Sequence, residues 1–188
     1  MKKQKIKTQR STMFILLLVF AIPVVLAKLA LEGDWFNKAS TNKGELIQPP
    51  VTFDVAFPQR EAKWYLTYIS DQPCLMACEL ALYSLQQVYI ALGKDKDRVE
   101  TAVLFTQTQQ INKAKSSEFA QSLTVEHVDP EPLSRLFPDD KVDNIFIVDA
   151  LGNVILRYPL HLNKEDAVMS SRDMLADMRK LLKLSRIG

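Results

Sequence analysis

The sequence predicts an α/β domain, with a central mixed sheet and flanking helices, preceded by one N-terminal transmembrane helix. Two observations predict this class. An uncharged apolar run, Met13 to Ala27, follows a basic N-terminus. Beyond it, β-branched and aromatic stretches alternate with stretches whose apolar residues recur every three or four positions, which is typical of strands alternating with helices.

The apolar run has the length of a membrane anchor. Residues 1–12 contain five basic side chains and no acidic one. At 1.5 Å per residue the run to Leu31 spans about 28 Å, close to the ~30 Å hydrocarbon core of a bilayer. We therefore assign 13–31 as the anchor in contact with membrane lipid. The positive-inside rule keeps 1–12 in the cytoplasm, which predicts a single-pass protein of the bacterial inner membrane with a periplasmic C-terminal domain.

A cleavable signal peptide is the competing interpretation of this run. Ala27-Lys28-Leu29-Ala30 resembles a small-x-small cleavage site but carries a lysine within it. The lysine and the length of the apolar stretch favour an uncleaved anchor.

The charge distribution argues against a nucleic-acid partner. Six of the 24 basic side chains and none of the 22 acidic ones precede Glu32, so the exported part is acidic, at about −4. No basic stripe interleaved with aromatic residues is visible. The roughly 155 residues that remain are enough for one domain with its own core.

Residues 32–63 are predicted to be a juxtamembrane tether and edge segment rather than a domain. Polar residues fill most of this segment, and Pro49-Pro50 forces an extended conformation before Val51. The domain proper is assigned to 64–188.

The predicted elements of 64–188 alternate between strands and helices. Strand Trp64–Ser70 leads into helix Leu75–Leu92, which Gly93 ends as a C′ residue. The remaining elements are strand Val99–Phe105, helix Asn112–Ser122, strand Leu123–Val128, a short helix from Asp129-Pro130 to Phe137, a hairpin of Asn144–Asp149 and Val154–Tyr158, and helix Glu165–Leu184. Crossover helices imply parallel strands, and the hairpin adds an antiparallel edge. This is the element order of a thioredoxin-like domain.

The only two cysteines, Cys74 and Cys78, stand at the junction of the first strand and helix. Their spacing places both thiols on one face of a first helical turn, close enough to form a disulfide or to hold a soft metal ion. A disulfide across so short a loop constrains the unfolded chain little, and a helix N-terminus favours thiolate. These points favour a functional pair over a structural disulfide, with both sulfur atoms projecting into the periplasm.

The Cys-x-x-x-Cys placement resembles the Sco family of copper chaperones for cytochrome c oxidase assembly, which also carry an N-terminal membrane helix and an external thioredoxin-like domain. Ile147 to Asn153 is similar to that family's late hairpin. A closer likeness is to small membrane proteins associated with bacterial cytochrome oxidase biogenesis clusters, through Asn42 to Pro50 and Leu92 to Asp95.

The resemblance implies an accessory factor for oxidase biogenesis that acts by thiol redox chemistry or by handling Cu(I). Its partner would be an oxidase subunit or another assembly factor. Cys74 would be the attacking thiolate or first copper ligand, and Cys78 the resolving thiol or second ligand. Any enzymatic activity would be thiol–disulfide exchange.

The chain departs from the Sco pattern at the third copper ligand. The family places a histidine just before the penultimate strand, where an ungapped count from Gly152 gives Lys141. His161, in the loop after the hairpin, is the remaining histidine candidate, ahead of His127. Met76, between the cysteines, is expected to point into the core.

These departures keep two alternatives open. One is a non-catalytic, membrane-tethered assembly or scaffold protein with a degenerate thioredoxin-like fold. The other is a general thiol–disulfide oxidoreductase, which the absence of Cys-x-x-Cys spacing disfavours. Such an enzyme would also need a proline just before the late strand, and Pro138 lies too early in the chain to serve.

Overall fold

The computed structural model describes residues 4–32, 42–53, 61–137 and 142–187. The chain divides into two compact units, one up to Thr41 and one from Asn42 onward. The second unit therefore includes residues that the sequence analysis assigned to the tether and edge segment.

The described residues of the first unit form one long helix, α1 (Gln4–Glu32). Its stretch Ser11–Leu29 has a mean hydropathy of 2.5 and is long and apolar enough to cross a membrane. The side chains of this stretch are exposed, and Pro23 lies within it. An exposed apolar surface of this length fits a single-pass membrane protein. The helix also extends backward through much of the basic flank.

The second unit is built on a six-stranded mixed sheet with the order β1-β6-β5-β2-β3-β4. The strands are β1 (Glu45–Thr52), β2 (Trp64–Ser70), β3 (Val99–Phe105), β4 (Thr124–His127), β5 (Asn144–Val148) and β6 (Asn153–Pro159). Strands β2, β3 and β4 are parallel, whereas β5 is antiparallel to both β2 and β6, and β1 is antiparallel to β6. The predicted α/β class and mixed sheet are confirmed.

Helices cover both faces of this sheet. They are α2 (Met76–Ala91), α3 (Thr108–Lys115), α4 (Pro130–Leu136) and α5 (Lys164–Leu184), with 3-10 turns at Gly93–Arg98 and Glu118–Ser122. Side chains from α2, α3 and α5 share one core cluster with Leu66 and Tyr68 of β2. The opposite face packs Tyr65 and Ile69 against α4. Strand β2 is buried at every position because both of its faces are covered.

The predicted helix Asn112–Ser122 is wrong as a single element. The structure has α3 followed by a separate 3-10 turn, and α3 begins four residues earlier than predicted. The break falls at Ser117, whose backbone is extended and whose hydroxyl accepts a hydrogen bond from the Phe119 N–H. Serine competes for backbone hydrogen bonds in this way, which favours a cap over a continuous helix.

Strand β1 is longer than the edge element that the sequence suggested. Leu46 pairs with Leu156 and Val51 with Val154, so the register shifts across the two prolines. Proline has no N–H to donate to a ladder, and an edge strand with an irregularity is where a sheet accepts it. Gly44, just before β1, lies so close to the Tyr158 ring that a Cβ there would be 2.5 Å from Cζ.

Candidate functional site

The cysteines occupy the connection between strand β2 and the helix that follows it, α2. Strand β2 ends at Ser70, and α2 begins at Met76 after a five-residue loop. Cys74 lies in this loop, and Cys78 lies in the first turn of α2. No side chain caps this helix, because the N-cap position is held by Leu75. The predicted placement of the pair between strand and helix is therefore what the structure has.

Cys74 and Cys78 form a disulfide, with their Cα atoms 5.0 Å apart. The prediction that the two sulfur atoms lie within bonding reach is confirmed. The prediction that they project into solvent is wrong, because Cys74 is 0% and Cys78 2% exposed. Both belong to the apolar cluster that α2 and α5 form with the sheet.

The side chains between the cysteines point the other way. Leu75 is 64% and Met76 62% exposed, so the prediction that Met76 points into the core is also wrong. Cys78 shares its helix face with the buried Leu82 and Leu85, at spacings of four and three residues. A residue two positions before Cys78 is rotated by about 200° around the helix, which turns Met76 toward solvent.

Two glutamine side chains connect α3 to the cysteine loop. The Cys74 backbone N–H donates to Oε1 of Gln110 at 2.9 Å. Nε2 of Gln107, the residue before α3, donates to the Asp71 carbonyl at 3.1 Å. Sequence reasoning missed both contacts, since each joins residues 36 positions apart.

A polar cluster lies on the other side of the loop. The Ser70 hydroxyl donates to Oδ1 of Asp143 and accepts from the Gln72 N–H. Burial raises the pKa of Asp143, the Ser70 hydrogen bond opposes this, and the neighbouring Asp71 adds to the rise. Burial also raises the pKa of Tyr68 to about 12. Asp143 is thus a half-buried hydrogen-bond partner of Ser70.

The strand register places His161 at the same end of the sheet as the cysteines. Pro159 pairs with Asn144, which pairs with Ile69, so β6 ends level with β2. Two strand spacings, roughly 10 Å, separate the two strand ends. Within residues 42–53, 61–137 and 142–187, no group of three or more His, Cys, Asp or Glu residues could hold a metal ion.

The other residues that the sequence analysis considered do not complete a metal site within the described part of the chain. His127 is exposed at the end of β4. Lys141, at the position of the expected family histidine, and Pro138 both lie outside the described residues.

Comparison with known proteins identifies the fold of the second unit. A family model described as a transmembrane-like, thioredoxin-like, C-terminal domain matches residues 64–185. No curated protein matches the chain. The structure is similar to that of the apo Sco1 protein from Thermus thermophilus, with 15% identity and a TM-score of 0.53 over 77% of this chain and 99% of that one.

Two further solved structures lie at greater distance. The thioredoxin domain of a thiol-disulfide oxidoreductase from Bacteroides vulgatus has 14% identity and a TM-score of 0.48, over 76% of this chain and 99% of that one. Copper-bound ScoI from Bradyrhizobium japonicum has 16% identity and a TM-score of 0.39, over 60% of this chain and 85% of that one. The domain that carries the disulfide has a thioredoxin-like fold. The two cysteines follow β2, the first of the parallel strands β2, β3 and β4.

Proposed function

Because the chain belongs to the family of transmembrane-like, thioredoxin-like C-terminal domains, we propose that it acts by thiol–disulfide exchange at Cys74 and Cys78. In this proposal it is a membrane-anchored, Sco-like accessory factor for cytochrome c oxidase biogenesis in the bacterial inner membrane. The observation that carries the proposal is the Cys74–Cys78 disulfide at the junction of β2 and α2. The oxidase context rests on the sequence resemblance of 42–50 and 92–95.

The exchange begins from the reduced pair. The Cys74 thiolate attacks a disulfide of the partner, forms a mixed disulfide and releases one partner thiolate. The Cys78 thiolate then attacks the Cys74 sulfur, forms the intramolecular disulfide and releases the second partner thiolate. The protein loses two electrons and the partner gains them, and the released thiolates take up protons from water. A periplasmic dithiol of the thioredoxin type would restore the reduced pair.

Handling of Cu(I) as cargo is the second branch of the proposal. Reduction of the disulfide would release two soft thiolates, which Cu(I) accepts in near-linear coordination. Among the described residues, no His, Cys, Asp or Glu side chain joins these two sulfurs in a group of three, so the sulfur pair is the copper ligand set that the proposal uses. Titration of the reduced full-length protein with Cu(I) tests this branch. Binding no tighter than that of Cys74→Ala would exclude it.

Oxidase activity in native membranes tests the exchange itself. A Cys74→Ala/Cys78→Ala variant should lower oxidase activity severely at equal protein level. Ser84→Ala is the matched control, because it removes another small buried group from α2 and should leave oxidase activity unchanged. Differential alkylation of wild-type membranes should find a fraction of the thiols reduced.

A second candidate function, a membrane-tethered scaffold without redox chemistry, is favoured by one observation. Both sulfur atoms are sealed from solvent in the apolar core, as structural disulfides commonly are. Unchanged oxidase activity in the double alanine variant, together with fully oxidised cysteines in membranes, would support the scaffold and contradict exchange.

A further inference from the structure

The burial of the disulfide conflicts with the access that exchange needs. A nucleophile must reach one sulfur along the S–S axis, yet Cys74 and Cys78 are 0% and 2% exposed. Some element must therefore move before the oxidised pair can be reduced again, as the proposed exchange requires, and the inference that follows rests on that proposed function.

The segment 107–117, here called the cover segment, contacts the Cys74 backbone through Gln110 and is weakly anchored in the core. It contains α3, whose only buried residue is Ala114, whereas α2 buries six side chains. Ala114 and the half-buried Ile111 pack in the same cluster as the two cysteines. Elements with few buried apolar contacts open at the low end of the local stability range. An eight-residue helix also has little stability of its own.

Three side-chain hydrogen bonds attach the cover segment to the disulfide region. Gln107 donates to the Asp71 carbonyl, and Gln110 accepts from the Cys74 N–H. At the far end, the Ser117 hydroxyl donates to a Glu79 carboxylate oxygen at 2.7 Å.

Among these three contacts, the one made by Gln110 joins the cover segment to a cysteine itself. We propose that Gln110 is a positioning residue that holds the cover segment closed over the disulfide, so that breaking its hydrogen bond to Cys74 opens the pair to an incoming nucleophile. Loss of one such hydrogen bond is worth about 1 kcal/mol, which corresponds to a roughly fivefold larger open population. The reaction rate of the disulfide should rise by the same factor, since attack occurs from the open state.

The test measures disulfide reduction in the full-length protein in detergent micelles. The probe is a neutral trialkylphosphine, whose phosphorus attacks one sulfur. Water then supplies the oxygen of the phosphine oxide, and both cysteines leave as thiols. Gln110→Ala should react about fivefold faster than the wild type. Gln109→Ala is the matched control, because it removes an exposed carboxamide from the same helix, and its rate should equal that of the wild type.

A rescue variant separates positioning from general destabilisation. Gln110→Glu keeps an oxygen that can accept the Cys74 N–H, so its rate should return to within about twofold of the wild type. Equal rates for Gln110→Ala and Gln109→Ala would overturn the proposal. A faster Gln110→Ala whose rate merely follows its loss of global stability, with no rescue by glutamate, would overturn it as well.

The two experiments distinguish a wrong proposal about function from a wrong proposal about Gln110. The phosphine rates report access to the disulfide whatever the partner is. Oxidase activity of the double alanine variant reports whether the pair is used in the cell.

Discussion

The Asp177 carboxylate of α5 accepts a hydrogen bond from the Tyr158 hydroxyl of β6 at 2.7 Å, and both groups are buried. The same carboxylate oxygen accepts the backbone N–H groups of Lys43 at 2.7 Å and Gly44 at 2.9 Å. One side chain thus joins helix α5, strand β6 and the segment that leads into β1.

Asp177→Asn should lower the free energy of unfolding by about 2–4 kcal/mol, because the amide group cannot accept from three donors as the carboxylate does and leaves some of them buried without a partner. Tyr158→Phe, which removes one donor, should cost about 1 kcal/mol. Denaturant unfolding of the full-length protein, followed by near-UV circular dichroism, measures both. Asp173→Asn, one turn earlier on α5, is the control. An equal effect of the two Asn variants would contradict the role assigned to Asp177.

Gly44→Ala should destabilise the domain by about 1–3 kcal/mol. The new Cβ would lie 2.5 Å from Cζ and 2.8 Å from Cε1 of Tyr158, and Asp177 holds that ring in place. A double-mutant cycle with Tyr158→Leu checks the cause, since a smaller side chain should recover most of the loss. Additive effects of the two substitutions would show that the clash is not the source.

Reduction of the Cys74–Cys78 disulfide should cost only about 2 kcal/mol of stability, because the bond closes a loop of about five residues. Unfolding midpoints of the wild type with and without reductant measure this cost. Cys74→Ala/Cys78→Ala under the same two conditions is the control and should show no difference. A much larger loss on reduction would mark the bond as a structural staple and weaken the case for exchange.

Asp143→Asn should stabilise the domain at neutral pH. Burial raises the pKa of Asp143, with Asp71 adding to the rise, so the folded state prefers the protonated form. The protonated Asp143 carboxyl therefore stabilises the folded state fully below the pKa that it has in the unfolded chain. This stabilisation is lost as pH rises through its pKa in the folded state. The advantage of the amide should shrink toward acid pH.

Unfolding curves at pH 4 and pH 7 test this dependence, with the exposed Asp97→Asn as the control. An advantage of Asp143→Asn that is the same at both pH values, or absent at neutral pH, would mean that ionised Asp143 is not penalised in the folded protein.

The sequence was most informative where local pattern and burial agree. Strands β2 and β3 have the predicted bounds. Each is rich in β-branched and aromatic residues and is buried because helices cover both faces of the sheet. Gly93 ends α2 as predicted, with a φ of +61° that favours glycine.

The sequence contained a signal that the disulfide is buried, although the prediction placed both sulfur atoms in solvent. Cys78, Leu82 and Leu85 fall on one helical face, and that face is the one that packs on the sheet. Asp143 and Gln110 offered no such signal. Each is placed by a contact with a residue far along the chain, Ser70 and Cys74 respectively, and local pattern does not report such pairs.

Strand β1 also has a mechanical consequence. The chain that follows the apolar helix enters the second unit at residues 42–44, where Asp177 of α5 accepts the N–H groups of Lys43 and Gly44. It continues as the edge strand β1 beside β6. We therefore expect force transmitted along the chain before residue 42 to act first on β1 and α5. Strands β6 and β5 separate β1 from β2 and the cysteine loop. Tension along the chain before residue 42 should therefore leave the Cys74–Cys78 disulfide undisturbed.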